Sequence, residues 1–450
     1  IAVSAISLLA VPTLMASENW DDHDRSNRYT TRLNAQAYLE SCDPNAIMFT
    51  IGDNDTFPLW YMQEVEGVRR DIKLVNTSLF ATDWYIDQMK RTTYEAPPIP
   101  SQLTHDQYKT GSLEVAYYIE QLFPSFKDSI LPINSFMQLI ESKNKRTFYD
   151  VDGDGYTEKV LPTNKIRVPV NKTNVLKSGI VAAKDADKIV DYIDITINEI
   201  GITKNQILML DILANFDWKQ PLYFTGGSNS DGEYIWLKDY LQLDGMAYKL
   251  VPIKTPMKTY DVNGKVTSEK TMFDMGRIDS EKMYNYFQKL DWRNINDGKI
   301  YIDEQTRKNS ISMRNNMLRL AETFLLEGNK KKAEEILDLS LEKMPIKDFE
   351  HYSIALGYPD LYYKIGNVTK ARLTAETLID IYQQQLVWLS AFDPSFTEVI
   401  FEEIRMNIGQ YRDWVLELIT TNDPDKEYIK KQQEAFTNTL QLFSRFMPEE

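Results

Sequence analysis

Short apolar runs, each stopped by small polar residues, restrict the fold of the first part of this chain more than any other feature. Residues 46–51 form one such run, which ends at Gly52, and residues 72–77 (IKLVNT) predict a second strand. Runs of this length predict strands that are buried on both faces. The segments 56–65 and 83–91 that follow them predict helices. Strands and helices in alternation predict a βαβ unit, and therefore a parallel sheet.

The same alternation returns further along the chain. The pattern predicts a helix, a strand, a helix and a strand at residues 205–216, 221–225, 234–241 and 247–251. Between the two halves, residues 145–172 alternate polar and apolar side chains around an Asp-Gly-Asp-Gly turn, which predicts a β-hairpin insertion. We therefore expect residues 17–285 to form one α/β domain, Rossmann-like, with a mostly parallel sheet.

The C-terminal part, residues 286–450, predicts an all-α domain, because its apolar residues recur at the helical period. Gly328 and Gly366 stand 38 residues apart between predicted helices, and Ala333 and Ala371 each follow five residues later. This spacing is close to the ~34-residue period of tetratricopeptide (TPR) repeats. We expect a TPR-like domain, completed by long helices at 398–419 and 426–446; the alternative is a helical bundle without repeats.

The N-terminal run, residues 1–16, carries no charge. A membrane-spanning helix needs roughly 20 apolar residues, so the favoured interpretation is the end of a transmembrane helix. A signal peptide and a buried helix are the alternatives, although a signal peptide begins with basic residues, which are absent here. Residues 18–24 contain four acidic and no Lys or Arg residues. Cytoplasmic flanks favour Lys and Arg, so we expect an inner-membrane anchor with the remaining chain in the periplasm.

The charge balance restricts the class of partner. The chain has 51 Lys and Arg against 66 Asp and Glu residues, a net charge of −15. Such a surface repels phosphate backbones, so no nucleic-acid partner is expected. Cys42 is the only cysteine, which excludes an intramolecular disulfide. HExxH, paired Cys/His zinc motifs and GxSxG are absent from the sequence, which disfavours the hydrolases built on them.

Polar residues follow three of the predicted strands. Open parallel sheets bind ligands outside the carboxyl ends of their strands, and carboxylates, amides and hydroxyls suit a sugar or another polyol. Two tryptophans just downstream would add an aromatic platform. The alternative is that Asp53 and Asp55 only cap the following helix. The predicted ligand-binding residues are Asp53, Asn54, Asp55, Trp60, Asn76, Thr77, Ser78, Trp84, Gly226, Gly227 and Ser228.

Asp53, Asn54 and Asp55 also resemble the DxD motif of nucleotide-sugar glycosyltransferases. In those enzymes two carboxylates share a divalent cation that neutralises the leaving diphosphate. In such enzymes a nucleotide-binding half precedes the motif, and the chain before Asp53 is too short to contain one. Nucleotide sugars are also absent outside the cytoplasm. A self-contained, metal-dependent transferase is therefore the least favoured of the functions considered.

A second acidic motif lies in the predicted hairpin. Its side chains match the first half of a calcium-binding loop and are Asp150, Asp152, Asp154 and Glu158. Leu161 stands where such a loop requires a bidentate Glu, and predicted strands flank it instead of helices. The motif therefore leaves two interpretations, a Ca2+ site and an acidic turn that holds no metal.

Four segments have long and unusual sequences: 19–28 (NWDDHDRSNR), 52–60 (GDNDTFPLW), 82–90 (TDWYIDQMK) and 245–252 (GMAYKLVP). Together they resemble the membrane glycosyltransferase family 117 of Bacteroidetes, also called unknown-function domain family 2723. The resemblance implies a polytopic membrane half before this soluble half, and a lipid-linked sugar donor. It also implies a catalytic acidic residue in a loop before Ile1, so no catalytic residue is assigned to this chain.

On this resemblance we expect the chain to recognise a glycan or protein acceptor, or to dock a partner, for a glycosyltransferase-like membrane protein. The alternative, from a different class, is a non-enzymatic periplasmic module that binds carbohydrate or protein, with the helical repeats holding a partner protein.

Overall fold

The computed structural model describes residues 2–24, 26–126, 128–226, 234–260, 265–269, 274–293, 295 and 300–443. The chain divides into two units. Asn34–Leu290 form one of them, which contains all the strands of the described residues, and Ile1–Leu33 with Asp291–Glu450 form the other.

The strands are β1 (Ile47–Thr50), β2 (Lys73–Asn76), β3 (Val115–Tyr118), β4 (Leu131–Pro132), β5 (Phe148–Tyr149), β6 (Glu158–Leu161), β7 (Lys165–Pro169), β8 (Tyr192–Thr196), β9 (Gly201–Thr203), β10 (Leu222–Phe224), β11 (Leu241–Asp244), β12 (Ala247–Leu250), β13 (Lys258–Tyr260), β14 (Val266–Glu269) and β15 (Arg277–Ile278).

The helices are α1 (Ala2–His23), α2 (Thr30–Ser41), α3 (Asp53–Glu64), α4 (Asp83–Met89), α5 (His105–Tyr108), α6 (Ile133–Glu141), α7 (Lys172–Lys177), α8 (Lys204–Asn215), α9 (Ser280–Lys289), α10 (Glu304–Leu326), α11 (Lys330–Lys343), α12 (Ile346–Phe349), α13 (Tyr352–Ala355), α14 (Gly357–Ile365), α15 (Val368–Ser390), α16 (Thr397–Gly409), α17 (Glu417–Asn422) and α18 (Lys426–Gln441). Shorter 3-10 helices lie at Leu79–Ala81, Glu120–Leu122, Pro124–Phe126, Lys145–Thr147, Ala183–Lys188, Ile235–Tyr240 and Pro394–Phe396, and a π-helical segment lies at Gln410–Leu416.

The main sheet has the order β15-β11-β12-β10-β1-β2 within the described residues. Strands β10, β1 and β2 are parallel neighbours, as the alternation of strands and helices predicted. Strand β12, however, pairs antiparallel with both β10 and β11, while β15 is parallel to β11. The sheet is therefore mixed. Of its six described strands, five run in one direction, as expected of a mostly parallel sheet, and only β12 differs by running the opposite way.

The turn between β11 and β12 explains the difference. The sequence predicted a helix over 234–241, but the structure has a short 3-10 helix that ends at Tyr240 and a strand that starts at Leu241. Gly245 and Met246 then join β11 to β12, and so short a connection can only join antiparallel strands. Gly245 has a φ of 61°, and a Cβ atom there would lie 2.6 Å from Oγ of Ser41, so the turn requires glycine.

Strands β1 and β2 lie in the core of the main sheet. All four residues of each strand are buried, as expected for strands covered on both faces. Met48 and Leu74 pack in one apolar cluster with Leu39 of α2 and with Leu59 and Met62 of α3. Helices α2 and α3 thus cover a face of the sheet and hold the loop that follows β1.

The insertion is larger than the predicted hairpin at 145–172. Strands β5 and β6 do form an antiparallel pair, but β7 belongs to another small sheet, where it pairs with β4 and β8. The chain changes sheets at Asn164, whose Nδ2 donates to the carbonyl of Ile197 across 2.7 Å. The hairpin is therefore one part of two small sheets, β5-β6-β3-β9 and β4-β7-β8.

Gly328 and Gly366 lie in two tight turns of the helical unit, one between α10 and α11 and one between α14 and α15. Their φ angles are 79° and 95°, a left-handed conformation that glycine adopts without steric cost. Asn329 and Asn367 follow them, and each caps the next helix by accepting a backbone N–H, at 3.2 Å and 3.1 Å. The two predicted interhelical turns are confirmed.

The rest of the helical unit is less regular than a repeat array. Ala333 and Ala371 are fully buried, as predicted from their position after the glycines. The region predicted as one helix over 398–419 contains α16, the π-helical segment and α17. The C-terminal region is therefore helical, and a TPR-like period within it stays a prediction.

A strained turn joins α12 to α13. Glu350 and His351 both have a φ of 51°, which is costly for residues other than glycine. Arg314 of α10 is completely buried, and its Nη2 donates to the carbonyl oxygen of Glu350 across 2.7 Å. Arg314 therefore stabilises a backbone conformation that the turn residues do not favour by themselves.

Helix α1 is apolar over Ala2–Trp20, with a mean hydropathy of 1.2, and none of that stretch is buried. Within the described residues it is the one helix long and apolar enough to cross a membrane. Its length and composition fit a membrane anchor or a signal sequence. After α1, the Arg28 guanidinium pairs with the Asp303 carboxylate.

Candidate functional site

The carboxyl ends of β10, β1 and β2 meet at one edge of the main sheet. Thr50 at the end of β1 is opposite Asn76 at the end of β2, and Phe49 is opposite Phe224 of β10. The three predicted site segments, which follow these strands, therefore begin side by side. We refer to this region as the strand-end site; its solvent-facing and half-buried residues are Asp53, Asn54, Asp55, Ser78 and Gly226.

The inner layer of the strand-end site is a buried hydrogen-bond network. The Asn76 side chain donates to Oγ1 of Thr56 across 2.8 Å and accepts the N–H of Leu79 at 2.9 Å. The hydroxyl of Thr56 also lies 2.6 Å from that of Thr50. Thr77 is buried too. The Asn76 side chain therefore fastens the end of β2 to α3. Both Asn76 and Thr77, which were predicted to bind a ligand, are buried in this layer.

The outer layer consists of exposed residues in the first turn of α3. Asp53 and Asn54 are exposed, and the helix begins after Gly52, which has no side chain to cap it. Ser78 is exposed as well, with its hydroxyl donating to the carbonyl of Ile51 across 3.0 Å. Asp53 and Asn54 thus present oxygen and nitrogen atoms to solvent at the positive end of the α3 dipole.

Asp55 lies between these two layers. Its Oδ2 accepts a hydrogen bond from Oγ1 of Thr225 at 3.3 Å, which links the turn after β1 to the end of β10. Burial raises the pKa of Asp55, and hydrogen bonds from Thr225 and from the Ile51 backbone N–H limit that rise. A half-buried carboxyl group with a raised pKa at a sheet edge is a common property of ligand-binding and catalytic sites.

One tyrosine, Tyr38 of α2, lies near Asp55, and two further tyrosines lie near Tyr38. Burial raises the pKa of Tyr38, and the neighbouring Asp55, Tyr234 and Tyr248 add to that rise. A Cβ atom at Gly226 would lie 2.7 Å from Cε2 of Tyr248, so a glycine is needed where the backbone crosses this ring. These tyrosines were missed in the sequence because they come from α2, β12 and the segment before β11. Gly227 and Ser228, also predicted as site residues, lie outside the described residues.

The two tryptophans that were predicted to form an aromatic platform differ in exposure. Trp84 of α4 is 56% exposed and meets Tyr85 edge to face. Trp60 of α3 is half-buried and stacks on Phe57, with ring centroids 5.5 Å apart. Phe57 is itself 53% exposed. Phe57 was not predicted, although it precedes Trp60 by three positions, the spacing of neighbours on one helix face.

The acidic hairpin turn uses its carboxylates internally. The two oxygens of Asp150 accept the backbone N–H groups of Gly153 and Gly155 at 2.7 Å and 3.0 Å. Asp154 and Glu158 accept backbone N–H groups as well. No group of three or more His, Cys, Asp or Glu side chains in the described part of the chain is arranged to hold a metal ion. Calcium at Asp150, Asp152, Asp154 and Glu158 stays a prediction.

Two polar clefts are lined by other residues. The first lies in the insertion, and the second lies between the end of β8 and the 3-10 helix before β11. The first, of about 250 Å³, is lined by Tyr118, Glu120, Gln121, Asp128, Pro162, Thr163, Asn164 and Lys165. The second, of about 240 Å³, is lined by Asp194, Thr196, Asn198, Glu199, Trp236, Lys238, Asp239 and Tyr240. Sequence reasoning did not find either cleft, because each is assembled from separate strands and loops.

Three polar atoms at these clefts are buried without a hydrogen-bond partner among the residues described: Oη of Tyr118, Oε2 of Glu199 and Nε1 of Trp236. Tyr118 and Glu199 are close, because the Tyr118 N–H donates to the carbonyl of Ile200 across 2.9 Å. Burial raises the pKa of Tyr118, and the Glu199 carboxylate adds to the rise.

The segment 245–252 forms part of a buried ionic cluster. Nζ of Lys249 lies 3.0 Å from a carboxylate oxygen of Asp43 and 3.3 Å from one of Asp244. Lys282 pairs with the same two aspartates at 2.8 Å and 2.6 Å. Two positive charges therefore balance two negative ones, and the cluster joins α9 and β12 to β11 and the loop after α2. We assign it a structural role.

One family model matches this chain. It is described as TMEM260-associated domain 2, and it matches residues 31–282. No curated protein and no solved structure matches the chain. The matched residues include the strand-end site, both clefts and the ionic cluster, and they make up more than half of the 450 residues. The chain therefore belongs to the TMEM260-associated domain 2 family.

Proposed function

We propose that this chain is the extracytoplasmic region of a polytopic, glycosyltransferase-like membrane protein that uses a lipid-linked sugar donor. In this proposal the chain recognises the glycan or protein acceptor and contributes no catalytic residue. The resemblance of segments 19–28, 52–60, 82–90 and 245–252 to the membrane glycosyltransferase family 117 supports the class. The parallel arrangement of β10, β1 and β2 agrees with a Rossmann-like fold.

The strand-end site carries the proposal. It offers an exposed carboxylate at Asp53 and a half-buried one at Asp55. We expect the exposed indole of Trp84, in the helix that follows β2, to lie beside them. Carboxylates accept hydrogen bonds from vicinal hydroxyl groups, while an aromatic ring packs on the apolar face of a sugar. The pairing of both kinds of group at the carboxyl edge of parallel strands favours a saccharide over an apolar ligand.

The proposed location is the inner membrane, with the folded units in the periplasm. The exposed apolar helix α1 supports an anchor. The acidic flank after it supports an outward orientation, because cytoplasmic flanks are rich in Lys and Arg. In spheroplasts that contain the full-length protein, added protease should digest this region, and protection from protease would refute the orientation.

Saccharide binding by the chain in detergent micelles tests the proposal. Isothermal titration with short neutral oligosaccharides should give binding that Asp55→Asn and Trp84→Ala each weaken by about tenfold. Asp106→Asn, an exposed aspartate outside the site, is the matched control and should bind as wild type does. Equal binding by all four proteins would refute the strand-end site as the place of recognition.

A non-enzymatic module that binds a partner protein is the second candidate. Large apolar side chains are exposed on the helical unit, and those around α15 and α16 include Trp388, Phe396, Val399, Phe401 and Met406. Exposed apolar residues in such numbers are common at protein contacts. This function predicts that Trp388→Ser with Phe401→Ser removes an in-cell cross-link to a partner, while Asp55→Asn leaves that cross-link unchanged. The opposite pattern favours acceptor recognition.

A further inference from the structure

The turn between α15 and α16 exposes large apolar side chains. Trp388, Phe396, Val399 and Phe401 are each more than half exposed. The Trp388 ring meets Phe392 edge to face, with ring centroids 4.8 Å apart, and Phe392 meets Phe396 in the same way at 6.3 Å. We call these five side chains the aromatic tip. Exposed apolar groups gathered at one place mark a contact surface.

The segment that follows α1 is attached to the beginning of α10. The Arg28 guanidinium pairs with the carboxylate of Asp303, the residue that caps α10. The hydroxyls of Thr30 and Thr306 lie 3.3 Å apart. Helix α1 ends at His23, and the chain from His23 to Arg28 spans at most about 18 Å. The end of α1 therefore lies near the first turn of α10.

The first turn of α10 is connected to the second half of α15. Nε of Arg307 in α10 donates to the carbonyl oxygen of Asp348 across 3.2 Å. Lys347, the residue before Asp348, pairs with Asp380 of α15 at 2.8 Å. Helix α15 continues from Asp380 to Ser390, which carries it about 15 Å further, and the aromatic tip is at its end.

The other end of α15 shows the direction in which this helix runs. Asn367 and Lys370, at its start, bind Glu334 near the start of α11, across 2.9 Å and 2.6 Å. Helix α11 starts after the turn at Gly328, which is at the far end of α10. Helix α15 therefore runs from the far end of α10 toward its beginning. The aromatic tip lies at the same end of the helical unit as the segment that follows α1.

We propose that the aromatic tip contacts the surface of the membrane that α1 spans, with its rings among the lipid headgroups. The inference rests on the proposed membrane anchor and adds a second contact to it. Trp and other aromatic side chains favour the membrane–water interface, where apolar side chains of a protein surface bind by burying their area. Two attachments instead of one restrict the tilt of the helical unit over the membrane.

The position of the tip favours lipid over a partner protein. The contacts of Arg28 and Thr30 hold the tip near the membrane, so the effective concentration of lipid is high and a weak affinity is sufficient. Glu398, Glu402 and Glu403 are exposed beside the tip, and their carboxylates repel anionic headgroups. The surface that the tip fits is therefore a zwitterionic bilayer.

The test places a fluorescent NBD label on the full chain in nanodiscs of phosphatidylethanolamine and phosphatidylcholine. Val399→Cys carries the label at the tip. Leu326→Cys, at an equally exposed apolar residue, carries it at the far end of α10 and is the matched control. Leu14→Cys, in α1, reports on the anchor. Cys42 is buried, and the unchanged chain gives the background labelling. The quencher is a lipid with a nitroxide on its acyl chain, near the headgroup.

The nitroxide lipid should lower the fluorescence of the labels at Val399 and Leu14 by about twofold or more, because both lie in or at the bilayer. The label at Leu326 should lose little. Trp388→Ser with Phe401→Ser should remove the quenching at Val399 and leave the thermal unfolding midpoint unchanged, since both side chains are exposed. Leu373→Ser, at an exposed apolar residue near the start of α15, should leave the quenching as it is.

The label in α1 separates a failure of the tip from a failure of the anchor. Quenching at Leu14, with equal fluorescence losses at Val399 and Leu326, would refute the membrane contact of the tip and leave the anchor standing. A label at Leu14 that is not quenched would refute the anchor, and the inference with it. A tip that is not quenched in nanodiscs, but cross-links to another protein in cells, is a protein-docking surface.

Discussion

Nζ of Lys249 lies 3.3 Å from Oδ2 of Asp244, and both side chains are only 2% exposed. The pair belongs to the ionic cluster that also contains Asp43 and Lys282. Taking two charges out of water is costly, so such a pair persists only where further hydrogen bonds complete it. Here Tyr223 supplies one, donating its hydroxyl to Asp244 across 3.0 Å.

Removing Lys249 should therefore destabilise the unit strongly. Lys249→Met leaves Asp43 and Asp244 with only Lys282 to balance them, and breaking a buried ion pair on one side costs about 3–5 kcal/mol. Urea denaturation followed by circular dichroism measures the loss. Lys109→Met removes a half-exposed partner of Asp106 and should cost at most about 1 kcal/mol. Similar losses in the two variants would contradict a buried cluster.

The same cluster predicts how stability falls in acid. Asp244 is buried, and Lys249 and Lys282 lower its pKa from 3.8 to about 2. A carboxyl group whose pKa is lowered on folding stabilises the fold above its unfolded pKa, and that stabilisation is lost as the pH falls through the folded value. It should amount to about 2 kcal/mol and disappear between about pH 4 and about pH 2.

Asp244→Asn provides the comparison for this acid dependence. The variant should be less stable than wild type at neutral pH, and the difference should shrink toward pH 2 as the wild-type carboxyl takes up its proton. Unfolding free energies across this range test the idea. A constant difference between the two proteins would show that Asp244 does not titrate in the folded state as inferred.

Lys159 predicts a second rise of stability with pH, in the alkaline range. It is 2% exposed, has Ser142 and Thr147 as neutral partners, and burial lowers its pKa from 10.5 to about 8. Between these two values the unfolded chain binds the proton more tightly than the folded chain, so stability rises with pH. Lys159→Met should remove about 3 kcal/mol of this rise.

The check on Lys159 is the difference in unfolding free energy between variant and wild type from about pH 8 to about pH 10. That difference should move in favour of wild type as the pH rises. Lys177→Met, at an exposed lysine, should track wild type throughout. A Lys159→Met curve parallel to wild type would mean that the Lys159 ammonium is not penalised by burial.

Ala371 tests the packing of the helical unit. The residue is fully buried, so Ala371→Trp should overpack the contact with the preceding helix and cost about 1–3 kcal/mol. Leu373→Trp, two positions on in the same helix and 64% exposed, should be nearly neutral. Thermal unfolding of the two variants decides the matter, and equal midpoints would mean that α15 does not pack through Ala371.

The strands of the main sheet were predictable because their side chains are buried on both faces. A continuous apolar run such as the one at β1 has few other interpretations. The β11–β12 hairpin was missed because Leu241–Asp244 is short and follows a segment with helical character. Both faces of these strands are also buried, so their polar and apolar residues do not alternate. What decides the topology there is Gly245, whose positive φ is not visible in the sequence.

The candidate site was predictable only where it is local. Asp53, Asn54 and Asp55 follow β1 directly, so the sheet edge could be inferred from them. Asn76 has the right chemistry, yet its side chain completes a buried network instead. Tyr38 belongs to α2, and only the folded chain brings it near Asp55. Spacing in a sequence reports neighbours along one helix or strand, and not those that meet through tertiary structure.

The turn at Glu350 and His351 has a consequence for the order in which the helical unit forms. Positive φ at two residues other than glycine costs about 1–3 kcal/mol for each of them, and the compensating donor is Arg314, which lies in α10. A peptide that contains the turn without α10 lacks that donor. We therefore expect the turn at residue 350 to be populated only when α10 is packed against it, which would make α10 a template for the helices that follow.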